Sequence, residues 1–524
     1  MQHSELGFYG NEGDQFESYL GEKELPVRKS TDLLYKLASI NTPEAKALHD
    51  NLKVFRHLEL EKEGSSRRDV VLMEDINGKK SMLTVCRDLD TTQEGNFDKF
   101  IGGLGVYPTK EGRVPIEYAL EHTKLLSVIM RRKCEMAGIQ WGGAKGTVLG
   151  ESDWLKSEIL QVVTGFLFSQ KGIFTDTITG SDVGQTPDTI ANMAIGSHIG
   201  GDHQIAGMIE ALDTPASCRV SLDETEKFLR KMYENEETYA ILRRRYGDEK
   251  IPDLSESTVL VEGFGRIGRT AVRLWLDKGA KKVIISDPFL TEENDKLPKL
   301  KTPEHFRERD KTRVFMMNKY LDLEEKYGDR VSLVPTDDLV KQKAGIFCPC
   351  SSKEGMLDIA KIDQLDRAGV RVIIAGGNNI FGQDSVWEMA RYAAGKHIVV
   401  IPEILSNCGS VTAASMEPEL RELMYNDDIL NELTARLHPV VSQVQREKIW
   451  ELIYGRQQET AAQFVQDRLI PHIRENTEAK IKLLIEKMIE FKKYGVDLYT
   501  AGEIAFREKH GPPIEFTGEG ILKN

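Results

Sequence analysis

The chain has 524 residues, 40% hydrophobic and 29% charged, enough for two large globular domains or three ordinary ones. Its formal net charge of −13 argues against a nucleic-acid or anionic-membrane partner, which most of the surface would repel. The opening stretch is acidic without an apolar core and no run of 18 apolar residues occurs, so neither a signal peptide nor a membrane span is expected, and the expected setting is cytoplasmic.

Residues 1 to about 50 are polar and mixed, with a short helix expected around Thr31–Ala38. Strand-like runs follow at Lys53–Leu60, Asp69–Met73 and Met82–Arg87, punctuated by turn signals such as Asn77 and Gly78. A glycine-rich segment, Ile101–Tyr107, comes next. Ala119, Leu120, Leu125, Leu126, Ile129 and Met130 then recur at helical spacing, which predicts a helix over Glu117–Ala137 with Lys133 in its last turn and Gly138 as its stop. Lys145 lies twelve residues beyond Lys133, after Gly142, Gly143 and Ala144 and before Gly146. Two readings fit those glycines: a lysine presented to something small, or a solvated lysine in a glycine turn. A further apolar helix is expected over Ser157–Phe168. Thr175–Thr189, rich in Gly, Thr, Ser and Asp, reads as a loop carrying Asp182.

Leu222–Glu249 is charged and helical. Beyond it the pattern changes to alternating strands and helices, which implies a parallel sheet covered on both faces. Strands are expected at Thr258–Glu262, Lys282–Ser286, Val331–Pro335, Gly345–Cys348, Val370–Ala375 and Ile398–Ile401. A charged insertion of about 43 residues separates Asp287 from Val331. After Ser410 the chain reads as helical to about Tyr494 and ends in a Gly/Pro-containing tail. Of the six cysteines only Cys348 and Cys350 are close, and a lone CxC reads as strand packing and not as a zinc site.

The strongest motif is Gly263, Phe264, Gly265, Arg266, Ile267 and Gly268. It follows a strand, opens a helix, and has Asp287 at the end of the next strand, 24 residues after Gly263. That is the context a dinucleotide fingerprint needs. Gly263 permits the turn, Gly265 admits the pyrophosphate, Gly268 lets helix and strand pack, and the helix N-terminus faces the phosphates. Asp287 would accept the adenosine ribose hydroxyls and repel a 2′-phosphate, which favours NAD. Asn378 and Asn379, in the loop after Val370–Ala375, fit two readings: a loop that reaches the nicotinamide ribose, or an ordinary Asn turn.

Taken together, Met130–Lys133 with Gly142–Lys145, Ser181–Gly184, Gly263–Gly268 and Ile401–Val411 resemble the Glu/Leu/Phe/Val (amino-acid) dehydrogenase family, from about Asp69 to Thr412. The resemblance implies an α/β fold with an N-terminal substrate-binding and catalytic domain over 1–220, of which 1–50 is an extension. A doubly wound Rossmann domain would follow over 221–405, and a helical segment over 406–524 would return to the first domain. It also implies roles. Lys133 would bind the substrate α-carboxylate. Lys145 would polarise the attacking water and the carbinolamine oxygen, and Asp182 would exchange protons with the amino group. Ile101, Gly102, Gly103 and Ala414 would line the substrate, and Asn407 would join the cofactor contacts. Desolvation and a second ammonium nearby would lower the Lys145 pKa into the range of a base, and domain closure would expel water.

The departures are informative. Glutamate-type members carry a lysine where Ile101 stands and a serine near Ala414. Burying a substrate carboxylate against Ile and Ala would cost several kcal/mol. Thr147, Ser410 and Gly105 also depart from glutamate-type members. The expected activity is therefore NAD-dependent oxidative deamination of an apolar or non-acidic L-amino acid to its 2-oxo acid and ammonia. The family resemblance further implies a homo-oligomer. Alternatives are a glutamate-type enzyme with an altered pocket and a non-catalytic NAD-binding regulator.

Overall fold

The computed structural model describes residues 27–510 and 514–515, apart from short internal stretches and the longer segments 90–96, 107–115, 207–211, 292–302 and 425–457. The N-terminal extension as far as residue 26, Tyr107, Val183 and Gly184 lie outside the described residues. The chain forms two compact units, one of residues 1–131, 140–210 and 414–461, the other of 132–139, 211–413 and 462–524.

The first unit is built on an eight-stranded sheet in the order β1-β2-β3-β4-β6-β5-β7-β8. Its strands are β1 (Val27–Asp32), β2 (Leu52–Leu60), β3 (Ser66–Asp75), β4 (Lys80–Asp88), β5 (Phe100–Val106), β6 (Gly142–Leu149), β7 (Thr177–Ser181) and β8 (Ile205–Ala206). The pairs from β1 to β6 are antiparallel, and β6-β5-β7-β8 are parallel. Helix α1 (Ile116–Met136) lies on one face; α2 (Glu158–Leu167) and α3 (Pro187–Ile199) follow β6 and β7. Leu83, Val85, Leu104, Val106 and Val148 join Leu160, Val163, Phe166 and Met193 in one core cluster. Ser157 caps α2, its hydroxyl accepting from the Leu160 N–H.

Three expectations change here. The stretch around Lys145 is no turn: every residue of β6 is buried within the sheet. Its glycines are there for close approach. A Cβ on Gly143 would overlap the α1 backbone at Ser127 and Arg131, and one on Gly102 would overlap the Ala144 carbonyl. The loop expected over Thr175–Thr189 contains β7, held between β5 and β8, and the start of α3. Of the helix expected at Thr31–Ala38, only Leu34–Ala38 is helical; the residues before it pair in β1.

The second unit carries a six-stranded parallel sheet in the order β11-β10-β9-β12-β13-β14. Its strands are β9 (Thr258–Glu262), β10 (Lys282–Ser286), β11 (Val331–Leu333), β12 (Ile346–Pro349), β13 (Val372–Ile373) and β14 (Val399–Val400). The order reverses between β9 and β12, the switch point of a doubly wound sheet, where ligands bind beyond the carboxyl ends of the strands. Its helices are α4 (Thr214–Glu234), α5 (Glu236–Tyr246), α6 (Arg266–Asp277), α7 (Pro303–Tyr327) in the insertion, α8 (Ile359–Ala368) and α9 (Val386–Gly395). α10 (Gly409–Met424) follows, its residues from 414 grouped with the first unit, and α11 (Ile470–Glu490) and α12 (Leu498–His510) come after it in the second. Of the tail expected after Tyr494, Leu498–His510 is helical.

The sequence assigned the C-terminal helices to the first domain. α11 and α12 belong instead to the second unit, where Ile481, Leu484, Leu498 and Ile504 share a core with Leu222, Phe228 and Val259. The last turn of α1 also belongs here. Gly138, at φ 72°, closes it: its N–H reaches the Glu135 carbonyl and that of Ile139 the Cys134 carbonyl, the Schellman pattern. Among the described residues no helix is long and apolar enough to cross a membrane.

Candidate active site and dinucleotide site

Alternation along β6 puts Gly143, Lys145 and Thr147 on the face that α1 covers. Thr147 is fixed there by the Thr123 hydroxyl of α1 at 2.8 Å, and Arg131 of α1 pairs with Asp88 of β4 at 2.8 Å. Lys145 is 7% exposed and faces Cys86 of β4 in register. Its ammonium donates to Asp182, the first residue beyond β7. On the side away from β4, strands β5 and β7 leave this face nearly bare. Ile101 of β5 pairs in register with Gly143 on one side and Ile178 of β7 on the other, and Gly103 pairs with Gly180. A Cβ on Gly103 would fall on the Asp182 carboxylate. On that side the floor is the Lys–Asp pair beside backbone and two isoleucines.

Two residues here escaped the sequence. Ile178 doubles the apolar surface of Ile101. His122 of α1, half-buried, is pushed down to about 4 by burial and then by the Lys145 ammonium, so its ring is neutral near pH 7. Helical periodicity announced α1, but no local signal sets that turn over Lys145.

Lys133 lies in the second unit, fully buried. Burial lowers its pKa, and Glu403 opposes that fall. The thiols of Cys218 and Cys408 beside it are pushed up to about 12 by burial, and burial also raises the Glu403 carboxyl, against the pull of Tyr499, the Asn379 N–H and Lys133. Ala414 is partly buried in α10 and is grouped with the first unit.

The fingerprint glycines have three distinct reasons. Gly263 takes φ 97°, and its N–H donates to the Ser286 carbonyl at 2.7 Å. A Cβ on Gly268 would overlap the Gly263 carbonyl. Gly265, the N-cap of α6, has open space where a Cβ would stand, and no side chain caps the helix. Arg266 opens α6, Phe264 is fully buried, and Ile267 packs toward the core against Gly376. An unobstructed helix N-terminus suits a pyrophosphate. Asp287, at the end of β10, accepts from the Phe264 N–H at 2.7 Å and the Phe289 N–H at 2.9 Å. Burial raises its pKa, while those two amides and Arg269 favour the charged form. These residues fit a dinucleotide.

At the end of β13 the loop Gly376–Asn379 is tied down by Asn407, whose Nδ2 donates to the Gly377 carbonyl at 3.0 Å and to Asn378 Oδ1 at 2.8 Å. Asn378 is exposed; Asn379 is buried at φ 51°.

A family model described as Glutamate/Leucine/Phenylalanine/Valine dehydrogenase matches residues 238–467. The chain is 24% identical over 377 residues to phenylalanine dehydrogenase of Lysinibacillus sphaericus, spanning 71% of this chain and 82% of that protein. It is 24% identical over 367 residues to phenylalanine dehydrogenase of Bacillus thermotolerans, spanning 68% and 81%. Among solved structures, a glutamate dehydrogenase superposes with a TM-score of 0.53 at 17% identity, covering 84% of this chain and 85% of that one. The hetero-hexameric glutamate dehydrogenase of Thermus thermophilus, in its Leu-bound form, gives 0.51 at 16% identity, covering 96% and 99%. The chain is thus similar over residues 238–467 to the glutamate/leucine/phenylalanine/valine dehydrogenases, and it shares the fold of the solved glutamate dehydrogenases.

Proposed function

We propose that this protein is an NAD-dependent dehydrogenase of an apolar L-amino acid, with a side chain of the phenylalanine or leucine class. The amino acid, NAD and water give the 2-oxo acid, ammonia, NADH and a proton. The observation that carries the reading is the Lys145–Asp182 pair on a floor of glycines, Ile101 and Ile178. The dinucleotide, when bound, accepts hydride from the substrate α-carbon; the rest is done by side chains. Lys145 polarises the water that adds to the imine carbon and steadies the carbinolamine oxygen. Asp182, in contact with it, takes and returns the proton of the amino group. Lys133 binds the α-carboxylate, and Glu403 helps keep its ammonium charged. Asp287 holds the adenosine ribose and repels a 2′-phosphate, which selects NAD.

Side-chain specificity follows from Ile101 and Ile178. A glutamate side-chain carboxylate against them would lack a cationic partner, at several kcal/mol. The curated relatives named above as phenylalanine dehydrogenases support the same choice. A homo-oligomer in a cytoplasmic setting completes the reading. Incubated with NAD and L-phenylalanine or L-leucine, the protein is expected to release NADH, ammonia and the 2-oxo acid in equal amounts. No NADH from any of Phe, Leu, Val or Glu, with NAD or NADP, would overturn the proposal.

A further inference from the structure

We propose that Glu403 and Tyr499 are positioning residues for the loop Gly376–Asn379, which makes the C-terminal helix α12 part of the dinucleotide-binding apparatus. The inference rests on reading that loop as the nicotinamide half of the site. The family match ends at residue 467, before α12 begins, so the match itself assigns that helix no role.

Asn379 holds a left-handed backbone at φ 51°, sparsely populated by non-glycine residues and kept only where the surroundings enforce it. The enforcing group is Glu403, the first residue of the short helix Glu403–Ser406. Its Oε1 accepts from the Asn379 N–H at 3.1 Å and from the Tyr499 hydroxyl at 3.0 Å. The Tyr499 ring also meets Phe381, two residues beyond Asn379, edge to face with centroids 5.0 Å apart. Tyr499 therefore touches both the carboxylate that holds the loop and the chain that leaves it. Burial and the Glu403 carboxylate keep the Tyr499 hydroxyl protonated, so it remains a donor.

The groups left over point to a ligand. Glu403 Oε2, Asn379 Nδ2 and Asn407 Oδ1 are buried and have no hydrogen-bond partner among the described residues. Their residues are 5%, 8% and 2% exposed. Buried polar atoms are rarely left unsatisfied, and functional sites are where such exceptions gather. One donor and two acceptors on this loop and the helix behind it suit a ligand offering both kinds of group, such as a carboxamide or a ribose diol. The charged neighbours are accounted for: Lys133 acts on Glu403 from α1, and Arg132 and Glu503 act on Tyr499.

The test is binding to the full chain, with NADH for the whole site and ADP for its adenosine half. Tyr499→Phe keeps the ring on Phe381 and removes only the hydroxyl. It is expected to weaken NADH by about tenfold, as loss of a hydrogen bond to a charged group does, and to leave ADP within about twofold. Glu403→Ala is expected to weaken NADH more than Tyr499→Phe. Glu403→Gln, whose amide oxygen still accepts from both donors, should stay within about threefold of the parent protein. NADH affinity within about twofold in both Tyr499→Phe and Glu403→Ala would overturn the proposal, as would parallel losses for NADH and ADP. A parent protein that binds neither nucleotide would instead defeat the dinucleotide reading on which the proposal rests.

Discussion

Two glycine-rich stretches dominate this chain, and their glycines do opposite work. Around Lys145 they are crowded: Gly102 and Gly143 meet backbone where a side chain would be, and Gly103 meets the Asp182 carboxylate. In the fingerprint, Gly263 and Gly268 are crowded too, but Gly265 faces open space at an uncapped helix N-terminus. A crowded glycine serves packing, whereas an open one at a helix N-terminus leaves room for a ligand. On the proposed function, the first unit would position the reacting side chains through tight strand packing, and the second would leave room for phosphates beside Gly265.

That division of labour can be broken experimentally. Lys145→Ala is expected to lower turnover by about a thousandfold, ~4 kcal/mol of barrier, with NADH affinity unchanged by fluorescence titration. A loss below about tenfold would remove Lys145 from the chemistry. Gly103→Ala pushes a methyl onto the Asp182 carboxylate and should cost about a hundredfold in turnover, again without loss of NADH binding. Gly265→Ala should behave in the opposite way. Melting temperature and turnover at saturating NAD hold, while KM for NAD rises about tenfold. A lowered melting temperature would show that Gly265 serves packing after all. Asp287→Ala should also raise KM for NAD about tenfold and relax discrimination against NADP, measured as the ratio of kcat/KM for the two.

The smallest effect concerns His122. Its folded pKa of about 4 lies below the ordinary histidine value of about 6.5. As pH falls through that interval the unfolded chain takes up a proton that the folded chain refuses. This contribution to stability is complete above about pH 6.5 and is lost toward pH 4. His122→Gln should therefore lose about 2–4 °C less in melting temperature between pH 7 and 4.5 than the parent protein. Equal losses would mean that His122 does not titrate there.

The same contrast explains what the sequence made legible. β9 and β10 were bounded to the residue, because short apolar runs ahead of GxGxxG and an acidic strand end leave few alternatives. The family resemblance named Lys145 and Asp182 but not their contact, and β6 and β7 were not legible at all. Gly-Gly-Ala-Lys-Gly and a Thr/Ser/Gly/Asp run carry turn composition, and only pairing with β4, β5 and β8 makes them strands. Glu403 and Tyr499 stand 96 residues apart, beyond any local pattern. The C-terminal helices, with apolar faces that suit either unit, could not declare which core they join.

The most direct test of the account is the ratio of kcat/KM for L-phenylalanine to that for L-glutamate, read as NADH formation. With Ile101 and Ile178 lining the side-chain position, the ratio is expected to exceed about a hundredfold, ~2.7 kcal/mol, and to shrink in Ile101→Lys. A ratio below one in the parent protein would contradict it.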